Sequence, residues 1–132
     1  MITMTAKPIL EKHFYHDGRG PELQKVIWQR NGKDLVGFEY FNPDDEYSLA
    51  NLKHIKLDNV KAYSMATVDV HGCNLANAKC VAAIFEVPNS NWLLSFNQNE
   101  IVGGKHFQIM FYDEIYDVVC KSVITGKGNL AF

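Results

Sequence analysis

Three carboxylates, Asp113, Glu114 and Asp117, stand inside the most patterned stretch of the chain, HFQIMFYDEIYDVVCKSV from His106 to Val123. They are either a chemical site or the acids that turn and solubilise a pair of strands. A hairpin with Asp113-Glu114 at its tip decides for the second. Phe111 then faces Tyr116, Ile109 faces Val118 and Phe107 faces Cys120, all on one apolar face. The other face pairs Met110 with Asp117, Gln108 with Val119 and His106 with Lys121. A slip of one residue would destroy this sorting, because strand side chains alternate with period two. The acids therefore read as a turn, with Asp117 on the wetter face.

Other groupings of reactive residues are sparser. His13, His16 and Asp17 lie in HFYHDGRG, where two histidines three apart can share a helical face and bind a metal. Such a site needs a further ligand and a supporting shell, and no His-Glu-x-x-His context exists. His71, Cys73 and Cys80 are zinc-ligand types, but structural zinc uses close pairs, two of them. The His-x-Glu and Pro-Cys-x-x-Cys elements of the cytidine deaminases are missing. Gly103-Gly104-Lys105 lacks the spacing of a phosphate loop and precedes a strand rather than a helix. No Gly-x-Ser-x-Gly elbow occurs. These readings predict no metal and no cofactor, and they assign no catalytic residue. Which of His13, His16, His71 and His106 converge on a pocket is not fixed by the sequence.

Strands must position whatever site exists. LQKVIWQRNGKDLVGFEYF, residues 23–41, is two β-rich runs about Asn31-Gly32. A three-residue loop is favoured over a two-residue one. It sets Arg30 opposite Asp34 and Lys25 opposite Glu39, and gathers Val26, Trp28, Val36 and Phe38 on one face. NPDDE is a turn, YSLANL a helical turn, and KHIKLDNVKAYSMATVDV two strands or one strand bent near Asp58-Asn59. Residues 75–87 fit a helix or a strand. PNSNWLLSF reads as a short helix capped by Asn89 or Ser90, with Trp92, Leu93 and Phe96 buried. Trp28 and Trp92 are core residues in this reading.

The chain has 132 residues, 47% hydrophobic and 21% charged, which suits one domain, 1–132, with a core of its own. Its net charge is −2 and its only arginines are Arg19 and Arg30, so no nucleic-acid-binding face is expected. No apolar run approaches the roughly 20 residues of a bilayer span, and the N-terminus lacks the pattern of a signal peptide. Three cysteines, an odd count, suit reduced thiols in a cytoplasm. The expected fold is α+β or mostly β: an antiparallel arrangement of about six to eight strands with one or two short helices.

IFEVPNSNWLLSF followed by HFQIMFYDEIYDVVCKSV resembles the C-terminal part of small uncharacterised bacterial domains. These carry a Ser-x-Trp-Leu element and then a His-aromatic hairpin. The resemblance implies a small bacterial α+β or all-β domain and carries over no catalytic residue. The expected function is a non-enzymatic binding module with a basic protein partner, of which a toxin-neutralising immunity protein is one concrete form. Its contact residues would be Tyr40, Phe41, Asp44, Asp45, Glu46 and Tyr47, where aromatics flank three consecutive acids. The alternative is a small enzyme or ligand-binding barrel with a His/Asp/Cys pocket.

Overall fold

The computed structural model describes residues 7–9, 21–31, 33–42, 45–67 and 84–130. Among them are nine strands: β1 (Lys7–Ile9), β2 (Glu22–Asn31), β3 (Lys33–Phe41), β4 (Lys53–Asp58), β5 (Ala62–Thr67), β6 (Ile84–Glu86), β7 (Lys105–Met110), β8 (Glu114–Cys120) and β9 (Ser122–Lys127). A 3-10 turn, Leu49–Asn51, precedes β4, and a short helix, α1 (Asn91–Leu94), follows β6. The fold is mostly antiparallel β, in a five-stranded sheet ordered β1-β6-β7-β8-β5 and a four-stranded sheet ordered β2-β3-β4-β9.

The β2–β3 hairpin has the expected register. Arg30 pairs with Asp34, Lys25 with Glu39, Val26 with Phe38 and Trp28 with Val36. Opposed charges and a shared apolar face agree on one alignment, which is why the pattern was readable. The bend near Asp58-Asn59 also occurs. Asn59 takes a left-handed φ of 54°, a conformation asparagine tolerates better than most residues. It ends β4 in one sheet and lets β5 start in the other. The partner strand bends at the same level, where β8 ends at Cys120 and β9 begins at Ser122. Lys121 N donates to Asp58 O at 2.9 Å and Lys61 N to Val119 O at 2.7 Å, so the two corners are bonded to each other. One two-stranded ribbon thus turns from sheet to sheet.

This corner corrects the expected extent of the second hairpin. The strand after the acidic turn does not run from 115 to 124; it stops at Cys120, and β9 pairs with β4. The register is corrected too. Ile109 pairs with Tyr116, Phe107 with Val118 and Gln108 with Asp117, two residues from the expected alignment. The turn closes through Phe111 N donating to Glu114 O, which puts Tyr112 and Asp113 at its tip. A shift of two keeps every side chain on its face. Phe107, Ile109, Phe111, Tyr116, Val118 and Cys120 all lie in the core, as expected from the alternation.

The two sheets meet through aromatic rings. Phe38 of β3 packs against Phe111 (centroids 5.4 Å apart) and edge-on against Tyr116 (4.8 Å). Tyr40 reaches Phe111 at 6.0 Å. On the outer side of the four-stranded sheet, residues 128–130 fold back across β3 and β4. His54 Nδ1 donates to Gly128 O at 2.9 Å, and Glu39 accepts from Leu130 N at 2.8 Å. That cover explains how Glu39 can be only 5% exposed on an outer face. Gly126, opposite His54, makes room for the ring: a Cβ there would lie 2.5 Å from His54 Nε2. Gly126→Ala is therefore expected to displace His54 and to destabilise the protein by about 1–3 kcal/mol, read as a lowered midpoint in urea.

Candidate functional site

Val87 N donates to His106 O and extends the β6–β7 ladder by one residue. Pro88 and Asn89, the latter with φ 54°, then turn the chain back toward β7. Ser90 is the N-cap of α1, and its Oγ accepts from Leu93 N at 3.0 Å. The expectation of a capped helix at PNSNWLLSF is met, with Ser90 as the cap. Trp92, Leu93 and Phe96 are half-buried, and Trp92 stands edge-on to His106 at 4.9 Å.

The returned Ser90 completes a polar relay. Its Oγ lies 2.7 Å from His106 Nδ1, and His106 Nε2 lies 2.6 Å from Asp117 Oδ1. Gln108 Nε2 donates to the same carboxylate oxygen at 3.1 Å. An ionised carboxylate only accepts, so Nε2 carries a proton. In the neutral ring, Nδ1 then accepts the Ser90 hydroxyl proton. The relay also accounts for the hairpin register, since only the observed alignment sets Gln108 beside Asp117.

A Ser–His–Asp order is the order of an acyl-transfer triad. The surroundings differ from those of a nucleophile. Ser90 is 0% exposed and His106 4%, and the serine oxygen also accepts from the Leu93 amide as the helix cap. Attack on a carbonyl requires the hydroxyl to be reached by substrate. The arrangement instead pins the turn 88–90 and α1 to the five-stranded sheet. Asp117 is thus more than a solvating acid on a wet face: it anchors a nearly closed network, with 16% side-chain exposure. The sequence reading placed Asn89 or Ser90 as a cap and His106 and Asp117 on one face. It missed that the turn after Val87 lays the cap over that face. The available signal was Pro-Asn immediately after a strand and before a capping serine.

The other candidates are placed as follows. Cys120 is a buried free thiol, pushed up to about 12 by burial, and its Sγ donates weakly to Ser122 O. Such a thiol is a core residue rather than a nucleophile. His13, His16, His71, Cys73 and Cys80 lie outside the described residues. Gly103 and Gly104 form the turn into β7. Gly104 is required there, since a Cβ would lie 2.9 Å from Ile101 O and from Val119 Cγ1.

Of the expected contact residues, Tyr40 is a correction. It is 1% exposed and belongs to the core, because β3 alternates and Tyr40 shares the inward face of Val36 and Phe38. Phe41 is half-buried and stacks on Tyr47, centroids 4.8 Å apart and planes at 9°. Tyr47 is 48% exposed. Asp45 is half-buried and pairs with Lys53 at 3.1 Å, and Glu46 is exposed. Asp44 lies outside the described residues. Asn51 Nδ2 donates to Glu46 O at 2.9 Å, which ties the acidic segment to the 3-10 turn. Among the described residues no helix is long and apolar enough to cross a membrane. No family model matches the chain, and no curated protein or solved structure matches it.

Proposed function

We propose that the protein is a non-enzymatic binding module, bacterial and cytoplasmic, that recognises a protein partner with a basic surface. Toxin neutralisation by occlusion is one form this takes. The observation that carries the reading is the Phe41–Tyr47 stack, which presents an exposed tyrosine beside exposed Glu46 on a segment fixed by Asp45–Lys53 and by Asn51. A rigid aromatic next to a carboxylate suits an interface anchor, since aromatic side chains supply contact area at low entropic cost. The burial of Ser90 and its work as a helix cap support a structural role for the relay. A buried thiol at Cys120 suits a reducing compartment.

The test compares the native protein with Glu46→Lys/Tyr47→Ala as immobilised baits in lysate of the source cell, at low and high salt. The expected result is a basic polypeptide that the native bait retains and that the variant or high salt releases. With that polypeptide purified, the double change is expected to weaken binding about 30-fold, the scale of one hot spot of about 2 kcal/mol. Equal retention by both baits would remove the segment as the contact. A substrate turned over by the purified protein, and no longer turned over by a Ser90→Ala variant that remains folded, would replace the binding reading with an enzymatic one.

A further inference from the structure

Where β2, the outermost described strand of its sheet, approaches β5, the two sheets leave a pocket of about 300 Å³ lined by Trp28, Arg30, Asp34, Val60, Lys61, Ala62 and Tyr63. That volume is at the small end of ligand sites and accommodates one substituted ring. Its wall is aromatic: Trp28 and Tyr63 meet edge-to-face with centroids 4.9 Å apart. Trp28 keeps 38% of its surface exposed, so the sequence expectation of a core tryptophan is met only on its Tyr63 side. Val60, buried, also lines the pocket and is held by its N–H to Asp34 O at 2.9 Å. The rim is charged. Arg30 places its guanidinium carbon 5.1 Å from the Trp28 ring centroid, Lys61 is exposed, and Asp34 supplies one carboxylate.

We infer that this pocket binds a small aromatic carboxylate bearing a hydrogen-bond donor on its ring. Two cations and one acid leave a net single positive charge, which a carboxylate matches; a phosphate monoester carries more charge than that. A guanidinium presents the planar fork that suits a carboxylate, and Lys61 adds a point charge. Trp28 and Tyr63 offer apolar faces and edges to a flat ring. Asp34 is the acceptor for the donor on the ring. The acidic segment 45–47 has no part in this site, so the proposal stands apart from the protein-binding reading.

The experiment is a nuclear magnetic resonance titration of isotope-labelled full chain with 4-hydroxybenzoate. Benzylamine tests the sign of the charge, and cyclohexanecarboxylate tests the ring. Saturable shifts are expected for the Trp28 indole N–H and the amides of Lys61 to Tyr63 at concentrations below about 10 mM, an ordinary range for a one-ring ligand. Arg30→Gln and Lys61→Gln change exposed side chains and are expected to keep the dispersed spectrum of a folded chain, with shifts confined to the neighbours of the changed residue. Each is expected to weaken the probe about tenfold, the scale of one lost charge-assisted contact. Benzylamine is expected to leave the pocket resonances unmoved, and cyclohexanecarboxylate to bind more weakly than the aromatic acid. Glu46→Lys is expected to bind 4-hydroxybenzoate as the native chain does. No saturable shift, equal affinity in the Arg30→Gln variant, or equal response to benzylamine would overturn the assignment.

Discussion

Replacing His106 with alanine is expected to lower the free energy of unfolding by about 3–4 kcal/mol, the scale of a large buried side chain lost together with its hydrogen bonds. The ring is 4% exposed and packs on Trp92, so its removal loses packing as well as two polar contacts. It also leaves Asp117 with Gln108 in place of two partners in the relay. Ser90→Ala is expected to cost less, about 2 kcal/mol, combining a lost helix cap with a buried Nδ1 left without its hydroxyl. The decisive measurement is a double-mutant cycle in urea between His106→Ala and Asp117→Asn. A coupling of about 1.5–3 kcal/mol is expected for a hydrogen bond to a charged group. Additive losses would mean that the 2.6 Å contact contributes nothing to stability.

Phe111→Ala is expected to cost about 3–5 kcal/mol, against about 1 kcal/mol for Met110→Ala. The two residues are neighbours in sequence and end on opposite faces. Phe111 is 1% exposed and touches Phe38, Tyr40 and Tyr116, which makes it a centre of the contact between the sheets. Met110 is half-buried on the other side. Equal shifts of the urea midpoint for the two variants would contradict the facing of β7 and the turn that follows it.

Legibility in the sequence followed the range of the interactions. The β2–β3 register was readable because charge pairing and apolar alternation act between residues close along the chain. The inward set around Phe111 was readable for a related reason, since alternation survives a shift of two. What chose between alignments two residues apart was Asp117 meeting His106 and Gln108. The fourth member of the relay, Ser90, arrives through a turn that local pattern does not orient. The corner at Lys121 was hidden because Cys120 and Val123 both suit a continuing strand. The pairing of β9 with β4 is a long-range choice that leaves no local mark. Tyr40 misled for a simpler reason: an aromatic beside an acidic turn looks exposed until its place in the alternation is fixed.

The bent ribbon sets the order in which this molecule can assemble. Its two arms pair Lys53 with Lys127 and Ala62 with Val119, contacts that close very long stretches of chain. Loop closure of that length must precede any stabilisation from the contacts, so a slow folding phase is built into the topology. The β2–β3 hairpin can form early from local pairing. The four-stranded sheet, by contrast, stays open along β4 until β9 has been synthesised and has turned its corner. Until then β4 presents an unpaired edge with Ile55 and Leu57 on its inward side, the exposure that chaperones and misassembly compete for.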